Sequence, residues 1–136
     1  MIRIVIVGGP RSGKSTLASK LGVPHFCTDP KSLVKDVQPN TTYLPEGLDW
    51  GKDSEFVCSN WFTKNESWVI EGVGAVRALR KWVHKNMGQP PCDKIVVLRE
   101  KYPGVTRNDG QEAMNKAVMT VWNEVADKFK DLIIYQ

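Results

Sequence analysis

The chain has few of the features that would assign it to a disulfide, metal or membrane class. It contains three cysteines, Cys27, Cys58 and Cys92, spread far apart. That spacing excludes a disulfide framework and paired zinc ligands, and the expected state is reduced thiols with no catalytic part. The two histidines, His25 and His84, have no partners at metal-ligand spacing, so neither is assigned a role. No apolar run approaches the roughly 20 residues that span a bilayer. The amino terminus enters strand-like sequence directly, without the basic and apolar leader of an exported protein. The expectation is a cytoplasmic protein with no membrane partner. Repeats and low-complexity tracts are absent. A net charge of +4 suits an anionic ligand and is too small to argue by itself for nucleic acid. A length of 136 residues leaves room for one domain with one core, which excludes a large motor and admits a small nucleotide-dependent kinase.

What is present is concentrated near the amino terminus. Gly8-Gly9-Pro10-Arg11-Ser12-Gly13-Lys14-Ser15-Thr16 satisfies G-x-x-x-x-G-K-[ST] at every position. Residues 2–7 before it read as a buried strand, since five of the six are β-branched. Residues 14–21 after it read as a helix, stopped by Gly22 and Pro24. A strand, this loop and a helix together form the context of a phosphate-binding loop. Glycines let successive backbone N–H groups turn inward toward a phosphate, and the helix start adds favourable field. Lys14 suits the terminal phosphates of a nucleoside triphosphate, and the Ser15 hydroxyl suits Mg²⁺.

Strands and helices alternate along the rest of the chain. Further strands are predicted at 25–28, 68–71, 94–98 and 132–135. Helices are predicted at 54–64 with Asp53-Ser54 as cap, at 75–87, and at 111–130, where Met114, Val118, Val121, Val125 and Phe129 recur at helical spacing with Ala117 and Trp122 widening the stripe. A short helix over 31–36 precedes an irregular excursion to residue 53. The alternation predicts an α/β fold with a parallel sheet.

Ligands of such sheets bind beyond the carboxyl ends of the strands. Three polar features gather there: the loop after the first strand, Asp29 after the second, and Glu71 followed by Gly72 after the third. One carboxylate can hold Mg²⁺ through water and the other can take the proton of an attacking hydroxyl. Which of Asp29 and Glu71 does which stays open at this point, so Ser15, Asp29 and Glu71 are all candidate metal-site residues. Arg77 and Arg80, near the start of the helix after Gly74, suit an acceptor phosphate. Arg99 and Arg107 flank a turn-rich segment over 99–110, where an arginine would neutralise charge on a transferring phosphoryl group. Among the tryptophans, Trp50 is the candidate to stack on a base, while Trp61, Trp82 and Trp122 read as core.

With these residues in place, the chain resembles the adenylate-kinase-like group of small P-loop kinases, and within it small bacterial and phage proteins of the adenylate-kinase-related and topology-modulation kind. The likeness is carried by IVIVGGPRSGKSTLASKLGVP with HFCTD, by the W-x-I-x-G element in ESWVIEGVGAVRALRKW, and by KIVVL. It implies a three-layer P-loop fold with five parallel strands in the order 2-3-1-4-5, ATP and Mg²⁺ as cofactors, and one domain over 1–136. It further implies an acceptor-binding region at 30–66 and a lid at 99–110, here reduced. Lys14 and Ser15 match the group's phosphate and metal ligands. Glu71 takes the place of its strand-three carboxylate, and Arg77 falls near the position of its acceptor-binding arginine.

The expected function is a Mg²⁺-dependent phosphotransferase moving the γ-phosphoryl group of ATP to a small acceptor, a nucleotide or nucleoside. The alternatives are an ATPase or regulatory module with a protein partner, and a kinase acting on the 5′-end of nucleic acid.

Overall fold

A computed structural model describes residues 1–49, 51–86 and 88–136. Trp50, the candidate stacking residue, and Met87, the expected end of a helix, lie outside the described residues. The elements are β1 (Arg3–Gly8), α1 (Lys14–Ser19), β2 (His25–Pro30), β3 (Thr41–Leu44), α2 (Lys52–Phe56), β4 (Trp68–Glu71), α3 (Ala75–His84), β5 (Lys94–Leu98), α4 (Asp109–Val125) and β6 (Ile133–Tyr135). All strand pairs are parallel, in the order β3-β2-β4-β1-β5-β6. The α/β class with a parallel sheet is therefore as expected.

The strand count and order are not. Five strands in the order 2-3-1-4-5 were anticipated, and the sheet has six because residues 41–44 add an edge strand beyond β2. The five anticipated strands keep their relative succession within the longer sheet. Thr41, Thr42 and Tyr43 favour extended backbone, and they pair with β2 in the register His25↔Thr41 to Cys27↔Tyr43 before the register shifts. Four residues between Pro39-Asn40 and Pro45-Glu46-Gly47 are too few for periodicity to reveal.

Alternation along the central strands divides the core into two layers. Val5, Val7, Phe26, Trp68, Ile70, Ile95 and Val97 face one side, where they meet Ala78 and Leu79 of α3 and Val118, Trp122 and Val125 of α4. Ile4, Ile6, Val69, Val96 and Leu98 face the other, under Ala18 of α1. Helices thus cover both faces, which explains why β1 and β4 are apolar on both sides.

Several boundaries moved. α1 ends at Ser19 and not at 21. The expected helix at 31–36 is a single 3₁₀ turn, Lys31–Leu33. α2 starts at Lys52 without a side-chain cap, and Asp53 sits inside its first turn. The helix then widens into a π turn, Val57–Trp61, with Phe62 N–H bonding Val57 O at 2.9 Å. That wider turn brings Val57, Cys58, Trp61 and Phe62 inward together. α4 begins two residues early because Asn108 and Gln111 form a reciprocal capping box. It gives way to a 3₁₀ stretch, Ala126–Leu132, whose Phe129 still reaches the core. Ala117 is exposed and does not widen the stripe.

All three cysteines are buried and free. Burial pushes the Cys58 thiol up to about 11 and Cys92 up to about 12, and Cys27 is raised further by burial and then by Glu71. Folded protein at pH 8 should leave all three unreactive toward a disulfide reagent, and urea should expose all three. A thiol titrating in the folded state would contradict this burial. Leu79→Ala should cost about 2–5 kcal/mol, read as a lowered urea midpoint with unchanged slope, because this α3 side chain is fully buried in the core shared with the sheet and α4.

Candidate functional site

The loop after β1 closes on itself. Lys14, 7% exposed, donates from Nζ to Gly9 O at 2.6 Å, and Leu17 N–H bonds Gly13 O at 2.9 Å. Gly13 has φ 91°, and a Cβ there would stand 2.7 Å from the Tyr102 ring, so both conformation and space demand glycine. Arg11 holds the left-handed φ of 58° without being glycine. The segment after β5 ties it there: Tyr102 N–H donates to Arg11 O at 2.7 Å, Arg11 Nη1 to Thr106 O at 2.8 Å, and Arg107 Nε to Pro10 O at 2.6 Å.

Beneath the loop, the register places a carboxylate at the carboxyl end of β4. Glu71 pairs with Ile6 on one side and Cys27 on the other, and it is 1% exposed. Its Oε2 accepts from Ser15 Oγ at 3.0 Å and lies 2.8 Å from His25 Nε2. An ionised Glu71 requires the proton on Nε2, and in the neutral ring Thr41 Oγ1 then donates to Nδ1 at 3.1 Å. Asp29, at the end of β2, accepts from Val73 N–H at 3.3 Å, and Thr28 Oγ1 accepts from Gly74 N–H at 3.2 Å. Gly72 between them has φ 128°, and a Cβ there would collide with Thr28 Oγ1.

The charges perturb one another. Burial holds the Lys14 ammonium below its ordinary range, opposed by the fields of Glu71 and then Asp29. Burial raises the Asp29 carboxyl, opposed by Lys14 and reinforced by Glu71. Lys14, Ser15, Asp29 and Glu71 all border one cavity of about 1000 Å³. Its lining takes in loop residues 10–16, Asp29, Glu71, Arg77, Leu33, Leu44 and Leu48, with Tyr102 before α4 and Met114 on it. The 30–66 region contributes walls at 30, 33–36, 44–48 and 53.

The arginines separate. Arg77 borders the cavity, with Nη2 3.9 Å from Asp53 Oδ2; burial lowers its pKa, Asp53 opposes this and Arg80 adds to it. Arg107, 4% exposed, lies against the loop and reaches Glu112 at 3.9 Å. Its Nη2 is buried without a partner, as are Ser12 Oγ and Asn115 Oδ1 near the same loop. Arg99 is not brought to the cavity. It is exposed after β5, and its guanidinium covers the Tyr135 ring of neighbouring β6 at 4.5 Å.

Sequence reasoning missed His25, Thr41, Thr28, Tyr102 and Asn115. His25 had a readable signal. It shares a strand face with Cys27 and Asp29, two and four positions on, and so faces the same side as Glu71. Thr41 had none, since its contact depends on the unanticipated β3.

The chain matches no protein-family model, no curated protein and no solved structure.

His25→Leu removes one of the side-chain donors holding Glu71 in the interior. The expected cost is about 1–3 kcal/mol in urea unfolding. Thr41→Val should cost about 1 kcal/mol, since it removes one hydrogen bond at the sheet edge. Midpoints equal to that of the wild type would show that this chain of contacts does not hold the carboxylate.

Proposed function

We propose that the chain is a phosphotransferase of the P-loop class that moves the γ-phosphoryl group of ATP to a small acceptor of nucleotide or nucleoside kind. The observation that carries the reading is that Lys14, Ser15, Asp29 and Glu71 border one cavity beneath a G-x-x-x-x-G-K-[ST] loop. In this reading the sheet is a P-loop sheet of the adenylate-kinase-like group with β3 added at one edge, and the donor is met in the cytoplasm.

Each residue has a task that its surroundings support. Lys14 exchanges its bond to Gly9 O for phosphate oxygens, which a nearby ammonium binds more strongly than a carbonyl. Tyr102 and Met114 restrict water at the side of α4. Arg107 steadies the loop from behind through Pro10 O. Its orphan Nη2, like Ser12 Oγ, is a buried donor whose cost of about 1–3 kcal/mol is relieved when an anionic oxygen reorganises the loop. Arg77 faces the acceptor.

The donor set fits Mg²⁺. Ser15 Oγ and Glu71 Oε2 are hard oxygen ligands 3.0 Å apart, and among the described residues no group of three His, Cys, Asp or Glu side chains could hold a metal alone. Such a pair holds Mg²⁺ only together with phosphate oxygens and water, as that ion prefers. When bound, the ion would offset charge on the β and γ phosphates. Glu71 is then the residue on the metal side and Asp29 the residue on the acceptor side, because Ser15 contacts Glu71 while Asp29 is held by Val73 at the acceptor wall.

The shortness of the 99–110 segment favours a second reading, an ATPase or regulatory module with a protein partner, because a small lid excludes water less completely. The 5′-end kinase draws less support. On α3, Lys81 and Lys85 lie within 4.0 and 3.0 Å of Glu55, and Arg80 lies 3.6 Å from Glu124, so acids already compete for these cations.

Lys14→Ala should weaken binding of a fluorescent ATP analogue by about 10- to 100-fold, the worth of a charge-assisted contact. It should also abolish Mg²⁺-dependent ADP release. Unchanged affinity would overturn the assignment of the loop.

A further inference from the structure

Resting on the phosphotransfer reading, the geometry points to an acceptor that is an uncharged hydroxyl compound of nucleoside type, carrying no phosphate of its own. Charge on the cavity wall is uneven. The phosphate loop supplies Lys14 and Arg11, and outside it the lining carries five carboxylates, Asp29, Asp36, Glu46, Asp53 and Glu71, against two cations among the described residues, Lys35 and Arg77. Arg77 is itself 3.9 Å from Asp53. A phosphate dianion held against these walls meets an excess of negative charge, whereas a neutral molecule does not.

The remaining wall is apolar. Leu44 is buried beneath the cavity, and Leu33 stands on its rim 79% exposed, with Leu48 beside the same space. A large aliphatic side chain left exposed at a cavity mouth suits a flat ring and is wasted on a fully hydrated sugar.

The chemistry points the same way. In transfer to a hydroxyl, a bond forms between the acceptor oxygen and the γ-phosphorus. The bond from that phosphorus to the bridging oxygen breaks, and its electron pair leaves with the nucleoside diphosphate. The hydroxyl proton must go to a base, and Asp29 is placed to take it: its carboxylate borders the cavity and is held on one side by Val73 N–H at 3.3 Å. A phosphate acceptor is already ionised and needs no base, so toward it a carboxylate at this position only repels.

The test uses the intact chain. Binding of a fluorescent ATP analogue is measured first. ADP release is then followed with nucleosides, their 5′-monophosphates and simple sugars. At least one nucleoside should raise ADP release tenfold or more, with its 5′-monophosphate giving less than a tenth of that effect. A monophosphate that matches or exceeds its nucleoside, with analogue binding intact, overturns this inference and leaves the phosphotransfer reading standing. Stimulation by sugars alone overturns the nucleoside assignment. Loss of analogue binding, or no stimulation by any acceptor, overturns the phosphotransfer reading and this inference with it.

A second variant isolates charge from folding. Asp36 and Glu46 are exposed, so the double change Asp36→Lys, Glu46→Lys leaves the core intact. It should raise the ratio of KM for the nucleoside to KM for its 5′-monophosphate about fivefold. An unaltered ratio of the two would remove the electrostatic basis of the inference.

Discussion

One buried ammonium and the carboxylates near it constrain the carboxyl edge of this sheet. Lys14 is enclosed, and its nearest bond is to a carbonyl of its own loop. Burial holds its pKa below the ordinary range, and the fields of Glu71 and then Asp29 oppose that cost. Glu71 is equally enclosed and depends on Ser15 and His25 as donors. The consequence spreads outward: β4 must end where it does, β2 must carry a histidine on the face that meets it, and β3 must supply Thr41 to the far side of that ring. A polar chain of this kind, running from the sheet edge to the loop, ties the least regular part of the molecule to its most regular part.

A second layer of constraint comes from the segment between β5 and α4. Short as it is, it makes three hydrogen bonds with the loop, two from backbone or guanidinium donors to loop carbonyls and one from Arg11 in return. These bonds hold Arg11 in a left-handed conformation that a non-glycine residue adopts at some cost. The orphaned polar atoms of Ser12, Arg107 and Asn115 lie around the same contact. The loop is therefore fastened from outside and incompletely satisfied inside, which suits a loop whose partners are completed by a ligand.

Much of this was legible in the sequence, and the limits have physical causes. The loop motif and the β-branched run before it identified β1, its glycines and Lys14, because each of those positions answers to a local rule. Asp29 and Glu71 followed because parallel strands deliver their last residues to one edge. Arg77 was placed by its position in the first turn of α3. Arg99 and Arg107 were both read as site residues, and only their neighbours separate them: Tyr135 draws one away and Pro10 draws the other against the loop. Such choices depend on contacts 36 and 97 positions distant in the chain, and local pattern has no access to them.

By itself the sequence determined the α/β class, the loop and its lysine, and the edge at which the polar residues collect. These depend on residue type and on periods of two and 3.6, which are properties of a single segment. Tertiary structure alone decided the sixth strand and the chain of hydrogen bonds from Thr41 through His25 and Glu71 to Ser15. Each of these requires two or more segments to be in register in space, and the free energy that sets the register comes from burial of the two core layers, which no single segment contains.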